Sequence, residues 1–389
     1  IVKKKYKMTS FLVFTVLVLI GIAVWQLTKI YDLTQIGGAS DDSEVANDKD
    51  NSVNGYLMFA FVGFIYVFTI YSLYAWGELV LGTPASEHGK DVDSLMGNSM
   101  ALIFFVQTFT QFLLHYFAFK YRGKEGQKAL YFADNNKLEA IWTIIPVIVL
   151  AGLIMYGLYT WNNIMFVDEE DKQDAIVIEL YAKQFGWEAR YAGDDKTLGK
   201  ANVRLIEGIN TLGVDLADPA AQDDKVVTEL HLPVGKKIIF KMRSQDVLHS
   251  AYMPHFRAQM NCVPGMITQF SFTPSVTTAD MRNDEGIVAK VDKINKIRTK
   301  NSAKIVAEGG VALDPYTFDY LLLCNKICGK AHYNMQMKIV VDTPEEYKAW
   351  LAEKPTLAQQ WKEANAPKPV EAAGVPVADS TKVVAQVIK

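Results

Sequence analysis

Residues 324–335 read Cys324-Asn-Lys-Ile-Cys328-Gly-Lys-Ala-His332-Tyr-Asn-Met335. This stretch places two thiols, an imidazole and a thioether within twelve residues, and a second imidazole, His249, lies 75 positions before Cys324. Soft sulfur ligands together with imidazole are the set that copper selects, and a weak thioether is typical of copper sites that transfer electrons. The stretch therefore predicts a copper-binding domain whose metal carries electrons.

The Cys-x3-Cys spacing allows both sulfurs to bridge a pair of coppers, which leaves each metal one terminal imidazole. A structural zinc site is the alternative, because Cys2His2 sets also bind zinc. Zinc sites usually use Cys-x2-Cys pairs and no methionine, so the spacing favours copper. A cupredoxin with a single copper needs only one cysteine, and the second cysteine argues against it.

The pattern, with Asp246-Val-Leu-His249-Ser before it, resembles the CuA domain of cytochrome c oxidase subunit II. The likeness covers roughly residues 96–342 and includes the membrane segment before the domain. The resemblance implies that the two cysteines bridge both coppers of a binuclear CuA centre. It also implies that His249 and Met335 complete one copper, while His332 and the backbone carbonyl of Lys326 complete the other.

Composition limits the other functions that the chain could have. A net charge of -3 and a sequence pI near 6.1 over 389 residues give no indication of nucleic-acid binding. Of the three cysteines, only Cys262 lies outside the ligand stretch, so we expect no disulfide framework and a small buried role for Cys262. The chain has no Cys-x-x-Cys-His sequence and hence no covalent c-type haem, so its electron donor must be another protein.

Four apolar runs are long enough to cross a hydrocarbon core of about 30 Å. They are predicted at residues 9–27, 55–76, 100–119 and 140–161. The basic loop between the last two runs favours the cytoplasmic side, which places the copper domain outside. Four spans put both termini on one side, and this conflicts with the basic residues of the amino terminus. A removed signal peptide or a first segment that does not fully cross would resolve the conflict.

After the spans, short β-rich runs predict an all-β Greek-key β-sandwich, and the resemblance specifies a cupredoxin. The runs lie at residues 176–181, 226–232, 237–242, 269–272 and 338–341. Residues 193–224 and 275–310 are predicted as inserted loops, residues 344–364 as a helix, and residues 366–389 as a flexible tail. The predicted order is an extra two-span region at 1–95, the family's hairpin of two transmembrane helices at 96–165, the cupredoxin CuA domain at 166–343 and the C-terminal helix and tail at 344–389.

Two further motifs carry candidate site residues. Asn135-Asn-Lys-Leu-Glu139-Ala-Ile-Trp-Thr-Ile-Ile-Pro146 resembles a family signature that implies a proton-pathway entrance at Glu139, although an early glutamate also suits any helix start. Gln184-Phe185-Gly186-Trp187 resembles the family's electron-entry segment, with Phe185 in place of a tryptophan. Core packing is the alternative role for Phe185 and Trp187.

The resemblance implies subunit II of a bacterial respiratory cytochrome c oxidase in the inner (cytoplasmic) membrane, a multi-pass chain with its CuA domain in the periplasm. Electrons would pass from a c-type cytochrome to haem in subunit I, which holds the haem and CuB and reduces oxygen while protons are pumped; subunit III is a further expected partner. A quinol oxidase subunit lacks the copper ligands, nitrous oxide reductase is soluble, and a membrane-anchored copper carrier favours exposed ligands. Lys326 stands where the family usually has a glutamate that helps to bind magnesium, so we expect no magnesium on this side chain.

Overall fold

The computed structural model describes residues 2–36, 47–77 and 80–366, so nearly all of the predicted tail at 366–389 lies outside the described residues. Contacts divide the chain into two compact units. One comprises residues 1–76 and 101–143, and the other comprises residues 77–100 and 144–389. The predicted domain boundaries after residues 95, 165 and 343 stay predictions.

Four long helices confirm the four predicted spans. Each is long and apolar enough to cross a membrane. They extend beyond the predicted limits because polar turns continue the helices at their ends. The helices are α1 (Val2–Ile36), α2 (Asp48–Trp76), α3 (Gly89–Lys120) and α4 (Asn136–Met165).

Polar contacts in the first unit show which helix ends lie on the same side. Lys29, near the end of α1, forms an ion pair of 3.2 Å with Asp50 in the first turn of α2. The guanidinium of Arg122, just past α3, donates a hydrogen bond of 3.2 Å to Ser52 of α2. The end of α1 that carries Lys29, the start of α2 and Arg122 at the end of α3 therefore lie on one side of this unit.

The second unit contains a β-sandwich of two five-stranded sheets, ordered β3-β2-β1-β5-β8 and β4-β10-β9-β6-β7. A short helix, α5 (Glu169–Asp174), precedes the first strand. The strands are β1 (Ile176–Lys183), β2 (Gly186–Tyr191), β3 (Lys225–Val227), β4 (Leu230–Pro233), β5 (Ile238–Ser244), β6 (His249–Met253), β7 (Ala258–Cys262), β8 (Thr268–Phe272), β9 (Tyr320–Cys324) and β10 (Gln336–Asp342). The helices α6 (Thr278–Arg282) and α7 (Glu285–Ala307) lie between β8 and β9, while α8 (Pro344–Ala352) and α9 (Leu357–Ala364) follow β10.

The core lies between the inner faces of the two sheets. Tyr320, Leu322 and Cys324 of β9 alternate with less buried neighbours, as expected for a strand with one face in the core. Phe240 and Phe272, from neighbouring strands of the other sheet, stack with ring centroids 5.2 Å apart. This alternation directs Cys324, at the end of β9, into the interior.

Two strand predictions needed correction. The run at 226–232 was predicted as one strand, but it divides into β3 and β4, which belong to different sheets. Thr228 and Glu229 separate the two strands. The composition of a run rich in β-branched residues does not indicate where the chain crosses from one sheet to the other. Four further strands, β2, β6, β7 and β9, were not predicted, since β6 and β7 carry polar residues that interrupt the hydrophobic pattern.

The helical predictions were wrong at two places. Residues 275–310 were predicted as a loop but contain α6 and the 23-residue α7. The prediction was wrong because the many charged residues made the few buried residues at helical spacing difficult to recognise. The single helix predicted at 344–364 is divided into α8 and α9. Pro355 lacks a backbone N–H, and Thr356 caps α9 by accepting from the Gln359 N–H at 3.2 Å, so a new helix begins there. Residues 193–224 form short 3-10 turns at Val203–Leu205 and Pro219–Ala221.

Candidate metal centre

Neighbouring strands of one sheet place the first ligands of the centre. β6 begins at His249, and Ala251 two residues later pairs with Cys324 at the end of β9. Residues two apart on a strand share a face, so His249 and Cys324 point to the same side of the sheet. His249 is fully buried, and its Nδ1 lies 3.8 Å from Sγ of Cys324.

The two predicted bridging sulfurs lie together. Sγ of Cys324 is 3.9 Å from Sγ of Cys328, and both cysteines are free thiols. A metal–thiolate bond is about 2.3 Å in zinc sites, so one ion can contact two sulfurs at this separation. The ligand atoms of His249, Cys324 and Cys328 all lie within 4.8 Å of one another. The donor set therefore fits a copper site with shared thiolates.

The rest of the ligand loop brings the remaining predicted donors to the sulfurs. Nδ1 of His332 and Sδ of Met335 lie 3.6 Å and 3.8 Å from Sγ of Cys328. The carbonyl oxygen of Lys326 lies 3.2 Å from Sγ of Cys324. The Lys326 side chain is exposed, so its backbone and its ammonium group face different surroundings.

Asp246 orients the buried imidazole of His249 through Nε2, the ring nitrogen that does not face Cys324. Its Oδ1 lies 2.8 Å from Nε2 of His249 and accepts a hydrogen bond of 2.7 Å from the Val247 N–H. Its Oδ2 accepts a bond of 2.8 Å from the Gln184 N–H. Burial alone would raise the pKa of Asp246, but these hydrogen bonds outweigh it and lower the pKa. The ionised carboxylate favours a proton on Nε2 and leaves Nδ1 free to bind a metal.

The thiol of Cys328 is protonated in the absence of metal. Burial, followed by the neighbouring Cys324, raises its pKa to about 11. Metal binding must therefore displace a proton from this sulfur, which couples copper affinity to pH.

The candidate electron-entry aromatics lie against the ligands. Trp187 is buried, and its ring centroid lies 6.3 Å from that of His249. The half-buried Phe185 lies so close to Gly329 that a Cβ there would come within 2.9 Å of its ring. A glycine is thus required where the ligand loop crosses Phe185.

Two other residues that the sequence singled out, Glu139 and Cys262, contribute no ligand atom to this cluster. Glu139 lies in the exposed first turn of α4, after Asn135, whose side chain accepts from the Leu138 N–H at 3.0 Å. Cys262 pairs with His249 across β6 and β7 and is fully buried, and burial raises its pKa to about 12. The expected buried role of Cys262 is confirmed.

Sequence reasoning missed two residues that support the centre. Gln184 hydrogen-bonds the Cys328 carbonyl oxygen through its side chain, although 144 positions separate them. Asp246 stood in the Asp-x-x-His stretch, and its spacing to His249 was the available signal. Gln184 stood in the Gln184-Phe185-Gly186-Trp187 motif, but nothing in the sequence signalled its contact with Cys328.

Comparison with known proteins agrees with this geometry. Residues 73–160 match the family described as cytochrome c oxidase subunit II, transmembrane domain, and residues 176–279 match its periplasmic domain. The alternative cytochrome c oxidase subunit 2 of Bradyrhizobium diazoefficiens is 32% identical over 294 residues, which cover 75% of this chain and 88% of that protein. The cytochrome c oxidase subunit 2 of a Synechocystis species is 22% identical over 332 residues, covering 81% and 85%.

A solved structure is also similar, namely the periplasmic domain of subunit II of cytochrome oxidase of Bradyrhizobium japonicum. It has 19% sequence identity and a TM-score of 0.25, and the match covers 46% of this chain and 91% of that one. The periplasmic family implies a CuA copper centre, for which the cluster of His249, Cys324 and Cys328 supplies suitable ligands. The chain therefore belongs to the cytochrome c oxidase subunit II family, as a membrane protein with a periplasmic domain and a subunit of a haem–copper oxidase.

Proposed function

We propose that this subunit accepts single electrons from a c-type cytochrome at a binuclear CuA centre and passes them to haem in subunit I. The observation that carries the proposal is the convergence of four further donors around the two cysteine sulfurs, with neighbouring contacts of 3.2 to 3.9 Å. Thiolate, imidazole and thioether ligands favour copper over harder metals.

The proposed ligand roles follow the contacts. Cys324 and Cys328 would bridge the two coppers. His249 and Met335 would complete one, and His332 with the Lys326 carbonyl would complete the other. Copper held there would supply a one-electron carrier.

The protein holds these donor atoms in fixed positions and shields them from water. His249 is fixed by its strand and by Asp246, while Cys328 is fixed through the Gln184 side chain. His249, Cys324, Cys328 and Met335 are all buried, so water is kept from four of the donors. Rigid, dry ligands change little between two redox states, and this favours fast transfer at a small driving force.

Phe185 and Trp187 are proposed as the route by which electrons enter. The proximity of the Phe185 ring to Gly329 and of the Trp187 ring to the His249 ring supports this role. The core-packing alternative predicts that replacing Phe185 with leucine alters stability but leaves the rate of cytochrome c oxidation unchanged.

The proposed setting is the bacterial inner membrane, in a complex with subunit I and subunit III. Haem and CuB would belong to subunit I, where oxygen is reduced and protons are pumped. Glu139, exposed in the first turn of α4, is proposed as the entrance of a proton pathway on the cytoplasmic side.

The experiment loads the purified full chain with copper and records its electron paramagnetic resonance spectrum. We expect one unpaired electron shared over two copper nuclei, whereas the spectrum of one isolated copper would refute the binuclear centre. Cys328→Ala should abolish the shared signal and cytochrome c oxidation. Cys262→Ala is the matched control, because it removes a buried thiol outside the ligand set. Normal turnover in the Cys328 variant would rule out electron entry at this site.

A further inference from the structure

The insertion between β8 and β9 forms an arm. α7 packs on the sandwich core through its first turns, where Ile287 is buried and Val291 is half-buried. From Asn295 onward, its hydrogen bonds run to the segment that returns to β9. Asn295 exchanges two bonds with the Tyr316 backbone, and Ser302 accepts from the Leu313 N–H at 2.9 Å. At 1.5 Å per residue, the part of α7 beyond Val291 is about 24 Å long.

The arm is basic, although the whole chain carries a net charge of -3. α7 contains six basic and two acidic residues. Four lysines recur at spacings of three, seven and four, which keeps them on one side of the helix, opposite the buried stripe. Ile297 lies on the same side with 56% of its surface exposed. The lysines of this face are Lys290, Lys293, Lys300 and Lys304.

The arm begins at the end of the sandwich where the membrane spans attach. Asp284, the N-cap of α7, accepts a hydrogen bond of 2.8 Å from Thr83, six residues before α3 begins. At the same end, Arg257 forms an ion pair of 2.7 Å with Asp93 in the first turns of α3. Ile164 and Met165, the last residues of α4, pack against the core.

We propose that the lysine face of α7 binds anionic phospholipid head groups at the periplasmic surface of the membrane. Each lysine near an anionic bilayer is attracted to it, and an exposed apolar side chain on the same face can enter the interface. The attachment beside α3 and α4 places the start of the arm next to that surface. Binding there would add a lipid-dependent contact beside the covalent connection of the sandwich to α4.

Hydrogen exchange of the full chain in lipid nanodiscs tests this contact. Nanodiscs of phosphatidylcholine are compared with nanodiscs containing about one third phosphatidylglycerol. We expect amide exchange across residues 290–307 to be at least fivefold slower with the anionic lipid, and 0.5 M salt to remove the difference, because such attraction is screened. Equal exchange in the two lipids would overturn the proposal.

Two triple variants distinguish an effect of the lysine face of α7 from an effect of the chain's total positive charge. Lys290→Gln, Lys300→Gln and Lys304→Gln together should abolish the lipid-dependent protection. Lys200→Gln, Lys348→Gln and Lys362→Gln make the same charge change on exposed lysines elsewhere and should retain it. Loss of protection in both triples would contradict a specific face. Protection that appears only with the other oxidase subunits, in either lipid, would assign the arm to an acidic protein surface and overturn the lipid proposal.

Discussion

Asp246 offers the sharpest test of how the protein fixes the copper centre. Its carboxylate holds Nε2 of His249 at 2.8 Å and also accepts from the backbone N–H groups of Val247 and Gln184. Asp246→Ala removes all three acceptors. Asp246→Asn keeps one oxygen for His249 but loses the negative charge and presents an amide to the Gln184 N–H. The two variants therefore separate orientation from charge.

The expected size of each effect follows from the contact. A hydrogen bond to a charged group contributes about 1.5–3 kcal/mol, and loss of a carboxylate behind a ligating imidazole usually weakens metal binding about 10- to 100-fold. We expect Asp246→Ala to fall within that range. A neutral acceptor retains part of the bond, so Asp246→Asn should lose about tenfold. Removal of the negative charge should favour the reduced centre over the oxidised centre by about 1 kcal/mol. For a one-electron centre, this difference raises the reduction potential by roughly 40 mV.

Copper affinity is measured by competition with a chelator, and the potential by optical redox titration of the loaded chain. Glu353→Gln, an exposed acid at the end of α8, is the control for the same change of charge. A matching unfolding temperature excludes general damage to the domain. Wild-type affinity and potential in Asp246→Ala would refute the view that this carboxylate orients His249.

Four further outcomes are expected. Met335→Leu should retain copper and raise its potential, since a weak thioether tunes the metal more than it holds it, as a redox titration will show. Glu139→Gln should slow oxygen reduction without changing copper content. Unchanged turnover would favour the alternative that Glu139 only stabilises the start of α4. Lys326→Glu should leave copper content unaltered by metal analysis, because the predicted ligand is the backbone carbonyl. Burial raises the pKa of Asp224 to about 6, above its ordinary value of 3.8. The contribution of Asp224 to the free energy of unfolding is therefore largest below pH 3.8 and declines as pH rises through 6. Asp224→Asn should remove this decline in unfolding measurements, and an unchanged pH profile would contradict the reasoning.

The spans and the ligand loop were the parts most readily predicted from the sequence. Long charge-free runs have few alternatives to a membrane helix, so four spans were expected and found. The ligands of residues 324–335 lie within one loop, and their meeting needs little knowledge of the fold. His249 joins them through the pairing of β6 with β9. The family resemblance implied His249 as a ligand, but no local pattern predicted this pairing.

The errors have a common physical cause. β6 and β7 carry several polar or small side chains, so they lack the hydrophobic alternation of an ordinary strand. α7 was predicted as a loop because lysines dominate its composition, while its buried stripe is carried by few residues, such as Ile287 and Val291. Composition outweighed periodicity in that interpretation.

The supports of the centre are set by the same tertiary contacts that the sequence hides. Gln184, in the turn between β1 and β2, connects two parts of the site, since its backbone donates to Asp246 and its side chain to the Cys328 carbonyl. The strand that carries His249 and the loop that carries Cys328 are thus joined through a third element. A change at Gln184 should therefore disturb both ends of the centre at once, although this residue contributes no metal ligand. The fold thus couples ligand positions that lie far apart in the chain, and this coupling allows a short loop to bind metal in a fixed geometry.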